Sequence, residues 1–117
     1  MDTLEKARMC GQYAEEKKAK DVLLLELTGL TDIADYFLLA SGTSERHVRT
    51  ISDHIEKSMK DGGIKPLFTE GYEEGRWVII DYNDLIVHVF LKELRELYDL
   101  ESLWIEAKQY RMEAQNK

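Results

Sequence analysis

Apolar positions along the chain recur with two periods, and the switches between them mark out its elements. Leu4, Ala7, Cys10 and Ala14 recur at helical intervals behind Asp2 and Glu5, which have capping-box spacing. This predicts a first helix running to about Lys18. Asp21-Val22-Leu23-Leu24-Leu25-Glu26-Leu27 is too short and too apolar for a surface helix, and predicts a buried strand closed by Thr28-Gly29. Tyr36 to Ala40 predicts a second strand after the turn-like segment Thr31 to Asp35. Ser41-Gly42-Thr43-Ser44 ends that strand and offers hydroxyls to cap the next helix. There Val48, Ile51, Ile55 and Met59 form one apolar stripe, with Arg49–Asp53, Asp53–Lys57 and Glu56–Lys60 four apart on the outer side. Gly62-Gly63 stops the helix. Lys65 to Thr69 reads as a short strand whose Pro66 suits an edge or a strand start. Leu94, Leu97, Tyr98, Leu100, Leu103 and Trp104 carry an apolar pattern through one or two final helices. The polar run Lys108 to Lys117 reads as a frayed tail.

The segment from Trp77 to Phe90 alternates with period two and predicts a hairpin. With Asn83-Asp84 as its loop, Tyr82 pairs with Leu85, Ile80 with Val87 and Val78 with Val89, giving one uniformly apolar face. The opposite face pairs Trp77 with Phe90, Ile79 with His88 and Asp81 with Ile86. Large aromatics beside one carboxylate and one imidazole either lie under a helix with their polar groups satisfied, or meet a partner. Taken together the elements predict a single α/β domain over residues 1–107, with a mixed sheet of about five strands and flanking helices, followed by a tail over 108–117.

At 117 residues the chain is about one domain long, enough to bury roughly two-thirds of its unfolded surface without disulfides or structural metal. No apolar stretch approaches the ~20 residues that span a bilayer. The mixed N-terminus does not resemble a secretory signal. The lone Cys10 has no internal disulfide partner, which fits a reducing cytosol. Charge changes the picture more. Between Pro66 and Glu106 ten acidic residues face only Arg76, Lys92 and Arg95, so this stretch carries the whole net charge of −7. Such a surface repels phosphates and suits a basic protein partner, although plain solubility explains an acidic surface as well.

Catalytic chemistry finds little to use. Nucleotidyl transfer needs carboxylates converging on a divalent metal, yet Asp81 and Asp84 lie across a turn and Asp32 and Asp35 in a loop. Ser41-Gly42-Thr43-Ser44 lacks the spaced glycines and Gly-Lys-Ser/Thr ending of a phosphate loop, and reads as a helix cap, with anion binding as the alternative. Ser44, His47 and Asp53 make a triad only on paper, because Asp53 lies too far along the helix to orient His47. His47, His54 and His88 are not grouped at a metal-ligand spacing. These absences predict a docking protein rather than an enzyme, with no cofactor; a metal-using nucleotidyltransferase-like enzyme is the alternative.

Several longer motifs resemble those of the ribosomal silencing factors, the Iojap-related family. The central one is Ala34-Asp35-Tyr36-Phe37-Leu38-Leu39-Ala40-Ser41-Gly42-Thr43-Ser44-Glu45-Arg46-His47-Val48. Glu70-Gly71, Trp77 to Tyr82, Asp84 to Phe90, and Arg95 to Trp104 follow in order. The resemblance implies a nucleotidyltransferase-like fold without that catalytic apparatus. It also implies a cytoplasmic protein that binds the large ribosomal subunit through ribosomal protein number fourteen and sterically blocks joining of the small subunit. A large-subunit assembly factor is an alternative. No membrane and no specific nucleic-acid readout are expected, and a homodimer of the free protein is. Carried over to this chain, the partner-binding residues are Trp77, Asp81 and Tyr82, with Glu70, His88 and Tyr98. Tyr82, on the core side of the alternation, fits that role if its hydroxyl projects past the sheet edge. Leu91 stands where many members have a polar residue, and implies a more apolar contact there.

Overall fold

Val48, Ile51, Ile55 and Met59 lie fully buried along helix α2 (Glu45–Asp61), as their spacing predicts. A computed structural model describes residues 2–112 of the chain. Helix α1 (Thr3–Glu16) starts at a capping box between Asp2 and Glu5, and its Ala7, Cys10 and Ala14 are buried beside the α2 stripe. Each large side chain so buried contributes about 1.5–3 kcal/mol.

Between and after the helices run strands β1 (Lys20–Glu26), β2 (Tyr36–Gly42), β3 (Phe68–Glu70), β4 (Trp77–Asp81) and β5 (Leu85–Leu91). Two short helices, α3 (Lys92–Tyr98) and α4 (Leu100–Leu103), lead to β6 (Lys108–Arg111). The sheet order is β3-β4-β5-β2-β1-β6. Only β2 and β5 pair in parallel among these neighbours, joined by the α2 crossover and the β3–β4 excursion.

The sheet thus has six strands rather than five, and the sixth comes from the expected tail. Lys108 to Arg111 pairs antiparallel with β1, Leu24 opposite Tyr110. All four side chains of β6 are exposed and no apolar alternation announces it, although the Tyr110 hydroxyl donates to Glu26 of β1 at 2.9 Å. Residues 113–117 of the expected tail lie outside the described residues. The hairpin is as predicted: Trp77 opposes Phe90, Ile79 opposes His88 and Asp81 opposes Ile86. Asn83 has φ 78 in the turn, and its N–H donates to the Asp81 carboxylate at 2.7 Å.

The outer face of α2 is used differently from the expected pattern of internal ion pairs. Tyr72 donates to Asp53 at 2.7 Å, Thr69 donates to Glu56 at 2.7 Å, and Arg49 donates to the Glu73 carbonyl at 3.2 Å. These bonds tie β3 and the 71–76 loop to the helix. Arg95 on α3 is buried: it donates to Glu101 at 3.1 Å, to the Ser41 hydroxyl at 2.9 Å and to the Asp21 carbonyl at 2.6 Å. One guanidinium therefore clamps α3 and α4 onto the ends of β1 and β2.

The 71–76 loop delivers the chain into Trp77 through Gly71, at φ 84, where an added Cβ would collide with the Trp77 carbonyl oxygen. Backbone cannot yield as a flexible side chain can. Gly71→Ala is therefore expected to cost more than ~2 kcal/mol. Gly29→Ala, at φ 86 but with open space around it, should cost only about 1 kcal/mol. Denaturant unfolding of both variants measures the difference; equal losses would show that the Trp77 contact adds nothing.

Candidate functional site

The side of the sheet opposite α1 and α2 holds a second core. Leu23, Leu25, Phe37, Leu39, Ile86 and Phe90 are buried there, with Leu100 and Trp104 packed against them. Phe37 and Trp104 meet edge to face at 6.2 Å. Toward the β3 edge this cover runs out. Trp77, Ile79 and Asp81 of β4 are only half-buried, and Phe68 and Glu70, opposite Asp81 and Ile79, are exposed. Phe68 retains 47% of its surface and Tyr98, at the end of α3, 53%. The face is thus divided: β5 lies under cover, as one of the two expectations had it, and β4 is left half-open.

Trp77 is the fixed point of the open strip. Its ring stacks on Phe90 at 5.0 Å and lies 4.9 Å from Tyr98. Its indole N–H donates to His88 Nδ1 at 3.1 Å. Beyond it opens a groove of about 610 Å³, lined by Glu45, Glu73, Glu74, Arg76, Trp77, Leu94 and Tyr98. Three carboxylates against one guanidinium, beside aromatic faces, make a setting for cationic side chains.

Of the residues expected at the site, the strip brings together Trp77, Asp81, Glu70 and Tyr98. Tyr82 is a correction. It is 4% exposed and sits in the core that α1 and α2 cover, and its hydroxyl is itself buried rather than projecting past the sheet edge. Burial pushes that phenol well above its ordinary range. Side-chain alternation wins over turn proximity here, because Tyr82 still donates its N–H to the Leu85 carbonyl and so keeps strand orientation. Leu91 likewise packs against the helix-covered core, away from the strip. Phe68 was not legible, since only the β3–β4 register places it beside Asp81. Glu45, Glu73 and Glu74 come from a helix start and a loop that nothing in the sequence joins.

His88 is placed behind the strip rather than on it, at 5% exposure. Since Nδ1 accepts the indole proton, the neutral ring carries its own proton on Nε2, which is buried without a partner among the described residues. An unmet buried donor costs about 1–3 kcal/mol. Burial also holds the imidazole pKa down at about 4, against 6.5 for an exposed histidine.

The groups that a catalytic reading needs are engaged in structure. Ser44 caps α2 by accepting from the His47 N–H at 3.0 Å. His47 Nδ1 accepts from the Thr43 N–H at 2.9 Å, and Nε2 donates to the Lys17 carbonyl at 2.8 Å. Asp53 takes the Tyr72 hydroxyl instead of orienting a histidine. His54 bonds Glu16 at 2.7 Å and links α2 to α1. Asp84 accepts from Thr3 and from Lys6, the latter at 2.6 Å. Burial raises its carboxyl, but these two bonds outweigh that and hold it below the usual value. Among the described residues no group of three or more His, Cys, Asp or Glu could hold a metal ion.

The His88 geometry makes a pH prediction. Between pH 6.5 and about 4 the unfolded chain binds a proton on this residue that the folded chain refuses, so stability falls as pH falls through that window. The full loss is about 3 kcal/mol, reached below pH 4. Urea midpoints of wild type and His88→Asn at pH 7 and pH 4.5 measure it, and the variant should lose less. Equal losses would mean that His88 is not held neutral.

Comparisons with known proteins place the chain by family and fold. The family model described as ribosomal silencing factor during starvation matches residues 1–117. A ribosomal silencing factor RsfS of Halalkalibacterium halodurans is 39% identical over 113 residues, covering 97% of each chain. The RsfS of Bacillus subtilis is 41% identical over 100 residues, covering 86% of this chain and 85% of its own. A mouse protein named mitochondrial assembly of ribosomal large subunit protein 1 is 30% identical over 95 residues, covering 76% of this chain and 40% of its own. A crystal structure of a Chromobacterium violaceum protein superposes with a TM-score of 0.87 at 31% identity, over 100% of this chain and 98% of that one. With its motifs, its sheet and the whole of its length matched in this way, the chain belongs to the ribosomal silencing factor family.

Proposed function

We propose that this protein docks on the large ribosomal subunit through the β3–β4 strip and the acidic groove beside it, and by its bulk keeps the small subunit from joining. The observation that carries the reading is the half-open strip itself: Phe68, Glu70, Trp77, Ile79, Asp81 and Tyr98 present aromatic anchors among carboxylates. Anchors of this kind dominate protein interfaces, and acidic rims select basic partners and speed their approach. The family resemblance points to ribosomal protein number fourteen as that partner, in the cytoplasm. A body of 35 × 34 × 33 Å is wide enough to hold two large surfaces apart. Inhibition of this kind needs contact and occupancy but no chemistry, and we assign the chain no enzymatic step. The same strip suits a homodimer of the free protein, which sedimentation at rising concentration reads directly. The printed name of the mouse relative favours a second reading, protection of an immature large subunit. Co-sedimentation with precursor particles in preference to mature ones would select it.

Two measurements test the leading reading. Trp77→Ala should weaken binding to isolated large subunits by more than ~2 kcal/mol, and raised salt should slow association because part of the attraction is screened. A folded Trp77→Ala variant that binds as tightly as wild type removes Trp77 from the interface. Gradient sedimentation with reversed order of addition tests the mechanism. Protein added first should prevent joining, saturating at one copy per particle, and should act poorly on subunits already joined. Sub-stoichiometric protein that splits pre-formed ribosomes through repeated cycles would make it a catalyst and end the steric account.

A further inference from the structure

We infer that His88 serves the docking surface as a positioning residue for Trp77, without itself touching the partner; the inference rests on the docking reading above. Three observations carry it. His88 is almost wholly buried, so a partner cannot reach its ring without rearrangement. Its single recorded hydrogen bond is the one its Nδ1 accepts from the Trp77 indole, at 3.1 Å. Its other nitrogen is a buried donor without a partner among the described residues, so the Trp77 bond is what holds the ring's polar side in place.

The geometry explains what that position achieves. Trp77 has Phe90 stacked on it at 5.0 Å and Tyr98 at 4.9 Å, contacts that resist tilting but leave the indole free to slide and to turn in its own plane. A directional bond from the indole N–H fixes that remaining freedom. His88 is a firm anchor because its own ring is wedged against Phe37 at 4.6 Å and Phe90 at 5.8 Å. It also lies opposite Ile79 in the ladder, so backbone pairing sets its height behind the strip. The bond further directs the indole N–H toward the buried His88, while the ring itself lines the groove beside Tyr98. A partner therefore meets an anchor with one orientation, and less rotamer freedom is lost on binding.

A residue that only supports the core and a residue that aims Trp77 differ in what their replacement does. His88→Leu removes the unmet Nε2 donor but leaves the indole N–H without its acceptor, so thermal stability should change little while affinity for purified large subunits falls about tenfold. His88→Asn places an amide oxygen near the position of Nδ1 and should restore most of the affinity. In a Trp77→Ala background, His88→Leu should have no further effect, because residues acting as one unit are not additive. The Trp77 indole N–H resonance, assigned against a Trp104→Phe control, should shift and exchange faster in His88→Leu. An unchanged indole resonance in His88→Leu overturns the inference whether or not the protein binds ribosomes. Additive losses in the double variant overturn it too, since they would make His88 a contact in its own right. Wild-type protein that fails to bind large subunits instead overturns the docking reading, with the indole signal still reporting on the hydrogen bond.

Discussion

A six-stranded sheet has two faces to cover, and this chain has long helices for only one of them. Six strands at about 4.8 Å spacing span roughly 24 Å between their outer axes. Helices α1 and α2, of 14 and 17 residues and about 20–25 Å long, cover the first face over β1, β2, β5 and β4. On the second face α3 and α4 have 7 and 4 residues, about 10 Å and 6 Å. They are held over β1, β2 and β5 by the Arg95 clamp and by Trp104 packed on Phe37. That position leaves β4 and β3 without a roof. The open strip is thus a consequence of element lengths and of where one buried guanidinium pins them.

Electrostatics acts on the same geometry. The acidic surplus of the chain is concentrated between Pro66 and Glu106, and folding brings Glu70, Glu73, Glu74 and Asp81 from that stretch around Trp77, with Glu45 added from the start of α2. The basic groups within the stretch are drawn elsewhere in part, Arg95 most completely, since its charge is buried against Glu101. The groove still holds Arg76, and Arg49 reaches the Glu73 carbonyl beside it, so its acidic surplus is moderate: three carboxylates against one lining guanidinium. The proposed partner surface is correspondingly basic, with water and salt setting how far that attraction reaches.

Legibility in the sequence followed physical coupling. Where burial dictates side-chain type the reading held: the stripe of α2, the capping box at Asp2, and every cross-strand pair of the hairpin from Trp77–Phe90 to Asp81–Ile86. Strand β6 was illegible because its four side chains are all exposed, so no apolar alternation marks it. For Tyr82 the alternation that placed it inward held, and the outward hydroxyl that the motif required is buried instead. The groove was out of reach for another reason. Glu45 meets Glu73 and Glu74 only after Tyr72, Glu73 and Thr69 have fastened the loop and β3 to α2 through side chains whose charges suggested helix-internal pairs.

The size of the open strip bears on how tightly it can hold. Stable complexes commonly bury about 800 Å² per partner, some 20–30 residues a side. Six strip residues and the five further groove side chains Glu45, Glu73, Glu74, Arg76 and Leu94 make a smaller patch, so affinity has to be concentrated in few anchors. A preorganised tryptophan is the most economical anchor available, since its ring offers large area for the loss of two torsions. Preorganisation has a cost, and here it is visible inside the fold as the unmet Nε2 proton of His88. Stability forgone behind the surface is thereby exchanged for order upon it, and that exchange explains why a polar ring sits among Phe37, Trp77 and Phe90, where a leucine would remove the unmet donor but leave the indole N–H without its acceptor.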